Sequence, residues 1–150
     1  MKRFRFRLER LLGLREAAEQ ERARSLGAAA RTATAARELA DASAQRCVAA
    51  QQQIARALDA LLPAGLVTNL TVSLAHIATA RDAHEQASSA AAAAHHDALT
   101  HYQQAHRERR TLERLSEIRR SAHQTEAARE ERRQMDEIAA QVRRRRPEHP

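Results

Sequence analysis

Histidine offers the first route to chemistry in this chain, with eight at positions 76, 84, 95, 96, 101, 106, 123 and 149. Side chains three or four residues apart share a helix face, which is how a helix assembles a metal site or an acid–base pair. No two of these histidines have that spacing. They read as solvated residues or as residues at the edge of a helix seam. The single Cys47 excludes a disulfide framework and a cysteine-based zinc site. It falls at a seam position among alanines, in an architecture without an enclosed pocket for a nucleophile. No phosphate-binding glycine loop is present. The residues therefore point to a non-enzymatic protein with no cofactor and no metal.

Arginine offers the second route, since 25 arginines stand against one lysine and the net charge is +7. Lys2, Arg3, Arg5 and Arg7 at one end and Arg143 to Arg146 at the other could contact phosphates. Aromatic platforms for single-stranded nucleic acid are missing, with two Phe, one Tyr and no Trp. Between positions 101 and 140, nine arginines are interleaved with eight acidic residues. That is the pattern of a solvated helix carrying i,i+4 pairs. Phe4, Phe6, Leu8, Leu11 and Leu12 form the one aromatic-bearing apolar cluster, set among arginines. Packing against a second helix, docking to a partner and shallow membrane contact are all open to it.

The elements that must carry these residues follow from composition. Leu, Ile, Val and Phe make up about 17% of the chain, too few for an ordinary compact core. Ala, Glu, Lys, Leu and Arg make up 60%, the composition of long helices when a heptad period accompanies it. Pro63 and Gly65 mark one strong helix break, with Thr68, Asn69 or Thr71 as caps for the next helix. We expect a first helix over about 6–62, a turn over 63–69 and a second helix over 70–146. Their lengths come to about 80 and 110 Å at about 1.5 Å per residue.

A heptad period is present. Every seventh residue from Leu12 gives Leu12, Glu19, Leu26, Ala33, Ala40, Cys47, Ile54 and Leu61. The companion set is Leu8, Arg15, Arg22, Ala29, Ala36, Ser43, Ala50 and Ala57. The second helix has Leu70, Leu74, Ile77, Ala91, Ala98, Tyr102, Ala105 and Leu112 in one register, and then shifts to Leu115, Ile118 and Ala122. These patterns predict an all-α fold, an antiparallel coiled-coil hairpin whose small seam residues allow close approach but bury little area per layer. Reflection about the turn near position 65 places Phe4 opposite about Ala127. It leaves about 15 to 20 residues of the second helix projecting, with Met135, Ile138 and Val142 unpartnered. Both basic termini then share one end.

The two ends together resemble the FliJ family, stalk proteins of the flagellar type III export apparatus. The opening carries Phe4, Phe6, Leu8, Leu11, Leu12, Arg15 and Glu19. The second helix carries Leu112, Glu113 and Leu115, then Glu117, Arg119, Arg120, Glu126, Glu131 and Arg132, and closes on Met135, Asp136, Glu137 and Ile138. The resemblance covers essentially the whole chain, although the alanine-rich middle departs from the larger residues common in such proteins. It implies a stalk that inserts into and stimulates the hexameric flagellar export ATPase, contacts the export gate membrane protein and exchanges export chaperones. On that reading the partner-binding residues are Phe4, Phe6, Leu8, Leu11, Arg15, Arg119, Arg132, Arg133, Met135, Asp136, Glu137 and Ile138.

The charged opening lacks the apolar core of a signal peptide and no apolar run reaches the roughly 18 residues of a spanning helix, so the expected location is the cytoplasm; the resemblance implies a place there peripheral to the inner membrane. A generic coiled-coil adaptor, or a basic protein that binds nucleic acid or a membrane surface, is the alternative that composition leaves open.

Overall fold

In the computed structural model, residues 4–145 are described and form two helices packed against each other. Helix α1 is Glu9–Asp59 and helix α2 is Ala64–Arg145. Among the described residues there is no strand, and no helix is long and apolar enough to cross a membrane. Lys2, Arg3, Arg146, Pro147 and His149 lie outside the described residues, as do the side chains of Val142, Arg144 and Arg145.

The turn is shorter and earlier than the 63–69 expected, and its backbone explains why. The Leu62 amide donates to the Ala57 carbonyl at 3.1 Å and the Leu61 amide donates to the Leu58 carbonyl at 3.0 Å. These two bonds make a Schellman motif, which consumes the last carbonyls of α1. Its left-handed residue, normally Gly, is Leu61 with φ 52°. Pro63 then supplies the carbonyl that accepts from the amides of Leu66 and Val67, at 2.9 and 3.3 Å. A residue without an N–H suits the entrance to a helix, where the amide would have no partner. So α2 starts at Ala64, six residues before the position expected. Thr68 and Thr71 are inside it, donating their hydroxyls to the carbonyls of Ala64 and Val67 at 2.9 Å each, instead of capping it. At the other end, residues 6–8 form a turn and α1 begins at Glu9, not near Phe6.

The packing forms two units, one Gln20–Gln104, the other Met1–Glu19 with Ala105–Pro150. In the first unit, the shielded positions of α1 follow the expected heptads through Leu26, Ala29, Ala33, Ala36, Ala40, Ser43, Cys47, Ala50, Ile54 and Ala57. Those of α2 alternate by four and three through Leu70, Leu74, Ile77, Arg81, His84, Ser88, Ala91, His95, Ala98 and Tyr102. Ala40, Ser43, Cys47 and Ala57 are buried. An alanine in place of leucine removes three carbons from a layer, roughly 2 kcal/mol of burial at about 0.8 kcal/mol per methylene. The seam is therefore continuous but thin. Two of its polar members, Ser43 and Arg81, are satisfied locally. The Ser43 hydroxyl donates to the Ala40 carbonyl at 2.8 Å, and Arg81 lays its stem on the seam while its guanidinium reaches Asp82 at 2.6 Å.

Candidate functional site

The second unit departs from the alanine seam. Its α1 strip holds Leu12 and Glu19, and its α2 strip holds Ala105, His106, Arg109, Leu112, Leu115 and Ser116. A charged clasp takes the place of apolar layers at Glu19. His106 Nδ1 lies 2.8 Å from Glu19 Oε1, and Arg109 pairs with the second Glu19 oxygen. An ionised carboxylate only accepts, so the His106 Nδ1 carries the proton of that bond. Arg109 also pairs with Glu113, which receives Arg110 at 3.1 Å. One turn away, Arg15 reaches Glu108 at 2.6 Å. The bond from His106 does most to hold the Glu19 carboxyl below its usual range; partial burial opposes it and Arg109 reinforces it.

Toward the N-terminus, residues 4–8 leave the helix and lie along α2. The Phe4 and His123 rings stand 5.5 Å apart at 58°, a tilted aromatic contact. The expected neighbour was about Ala127, one helical turn further on. The shorter, earlier turn moves the point of reflection back, and residues 4–8, being outside the helix, advance along α2 by a different rise per residue. Beside this contact opens a groove of about 710 Å³. Phe4, Phe6, Leu8, Leu115 and Ala122 give it an apolar lining, and Arg5, Arg7, Arg119, His123 and Glu126 give it a charged one.

Beyond Ala127, α2 continues without cover, and residues 128–141 are all exposed. Met135 is 68% exposed and Ile138 56%, one turn apart on the same face. Arg132, Arg133, Asp136 and Glu137 surround them, with Arg133 3.9 Å from Glu130.

The residues singled out from the sequence therefore fall into three places. Phe4, Phe6, Leu8 and Arg119 share the groove. Arg15 belongs to the clasp, and Leu11 is exposed beside it on α1. Arg132, Arg133, Met135, Asp136, Glu137 and Ile138 lie on the uncovered stretch of α2, outside the groove. Sequence reasoning missed His106, Arg109 and His123. Glu19 carried a signal for the first two, as the one charged member of the heptad series that starts at Leu12. Nothing in the spacing pointed to His123. Among the described residues, no three His, Cys, Asp or Glu side chains converge as a metal site requires.

Comparison with known proteins agrees with the reading of the two ends. The family model described as the flagellar FliJ protein matches residues 4–148, from the first aromatic of the groove to past the end of α2. No curated protein and no solved structure matches the chain. A match of that extent takes in both helices, the turn and all three groups of candidate residues. The chain therefore belongs to the FliJ family of the flagellar export apparatus.

Proposed function

We propose that the chain is a non-enzymatic stalk of flagellar protein export. It inserts into the hexameric export ATPase and stimulates it, contacts the export gate, and exchanges export chaperones at the cytoplasmic face of the inner membrane. The observation that carries this reading is the family match from residue 4 to residue 148.

The chemistry of the described residues suits a part that works by contact. The uncovered α2 stretch offers Met135 and Ile138 as apolar anchors inside a ring of charges, the composition of an interface centre with a polar rim. Alanine-rich helices packed along a thin seam place such anchors without needing a reaction centre. The arginines of the clasp are already paired with Glu19, Glu108 and Glu113, so they contribute cohesion more than phosphate affinity.

Mixing the full chain with the purified export ATPase tests the proposal. Sedimentation should show a complex with the hexamer at moderate salt, and ATP hydrolysis should rise. Failure to bind the ATPase, with retention of DNA or RNA instead, would assign the chain to nucleic acid.

A further inference from the structure

The arginines of the second unit divide into two sets. Those of the clasp are paired across or along the helices. Arg5, Arg7 and Arg119, which line the groove, make no ion pair with any described residue. They stand over an apolar floor in which Phe4 and Phe6 are half-buried, and Glu126 is the one carboxylate among the described residues that line the cavity.

We propose that this groove receives an amphipathic helix of a partner protein, one that carries carboxylates beside its apolar stripe. Two features select that occupant. Unpaired guanidinium groups beside an apolar floor are complementary to carboxylates flanking an apolar face, and arginine binds carboxylates in a planar, two-bond geometry. The α2 wall runs from Leu115 to Glu126, about 16 Å or three helical turns at about 1.5 Å per residue, enough for anchors at i, i+3 or i+4, and i+7. A membrane surface fits less well, because insertion uses aromatics turned outward from a convex face, whereas Phe4 is turned onto His123. The inference rests on the proposed docking role only in taking the chain to act through protein contacts.

The test uses the full chain and a fluorescent 18-residue helical peptide with leucines at i, i+3, i+7 and i+10 and glutamates on both flanks. A second peptide keeps the leucines and replaces every glutamate by lysine. The acidic peptide should bind at least tenfold more tightly than the basic one. Arg119→Glu, on an exposed residue outside the clasp, should weaken the acidic peptide at least tenfold while circular dichroism stays unchanged; Arg7→Glu should act in the same direction. Equal affinity for the two peptides, or no response to either variant, would overturn the proposal. Binding to vesicles of phosphatidylcholine and phosphatidylglycerol that Arg119→Glu abolishes, without binding of the acidic peptide, would overturn it in favour of a membrane surface. Stimulation of the export ATPase is read separately. A chain that discriminates the peptides but does not stimulate supports the groove and overturns the stalk reading, and one that stimulates without discriminating overturns the groove alone.

Discussion

Glu19 of α1 and Arg109 of α2 form an ion pair at the one position of the Leu12 heptad series where a charge replaces an apolar side chain. Both side chains are mostly shielded, at 14% and 21% exposure, and His106 shares the carboxylate. A pair that replaces an apolar layer adds directional contacts that an alanine layer lacks, and it fixes which residues face each other. It also makes the unit sensitive to acid.

The sign of that sensitivity follows from the lowered Glu19 pKa. His106 and Arg109 face the carboxyl from α2, with Glu113 and Arg110 joined through Arg109. A carboxyl whose folded value is depressed stabilises the fold above its unfolded value, about 4.3, and loses that contribution as pH falls through the folded value. Glu19→Gln should lower Tm at pH 5.5, and its difference from wild type should narrow steadily toward pH 3. Thermal unfolding of both proteins across that range checks this. A constant difference would mean the charge of Glu19 contributes nothing.

Leu61 and Gly13 are each in the backbone environment that suits the other's residue type. Leu61 is left-handed at φ 52° and 91% exposed, so Leu61→Gly relieves backbone strain and loses almost no packing. We predict a gain of about 1 kcal/mol in reversible urea unfolding. Gly13 is helical, and a Cβ there meets nothing within 4 Å. Gly13→Ala should gain about 0.5–1 kcal/mol by propensity. A loss on Leu61→Gly would contradict the Schellman geometry.

The thin seam predicts that volume is tolerated outside it and not within it. Ala40 is 4% exposed, whereas Ala35 on the same helix is exposed. Ala40→Leu should cost about 1–3 kcal/mol through overpacking. Ala35→Leu should stay within about 0.5 kcal/mol of wild type. Denaturant midpoints at a fixed protein concentration separate the two, and equal effects would remove the evidence for this register.

How far the sequence could be read depended on which forces decided each feature. The α1 seam was legible because its small and apolar residues keep an unbroken seven-residue repeat from Leu26 to Ala57. In α2 the same repeat passes through Arg81, His84, Ser88 and His95. Hydropathy passes over these residues, although all four are partly shielded in the fold and Arg81 carries its charge out to Asp82. Pro63 and Gly65 both read as helix breakers in the sequence, which places the turn too late; in the fold Pro63 opens α2 and Gly65 is an ordinary residue of its first turn. That displacement, together with the departure of residues 4–8 from the helix, sets His123 and not Ala127 beside Phe4. The clasp was half visible. Glu19 stood out as an exception in its series, but its partners on α2 are fixed only by the register of the folded pair.

The central claim is that the uncovered stretch of α2 acts on the export ATPase. The direct measurement is steady-state ATP hydrolysis by that enzyme, titrated with the full chain and with a Met135→Asp/Ile138→Asp variant. Both residues are more than half exposed on a stretch of α2 whose described neighbours are exposed too, so helicity and Tm of the variant should match wild type. The wild type should raise the rate, and the variant should lose at least fivefold of that increase. Equal stimulation by a variant of unchanged helicity would contradict the account.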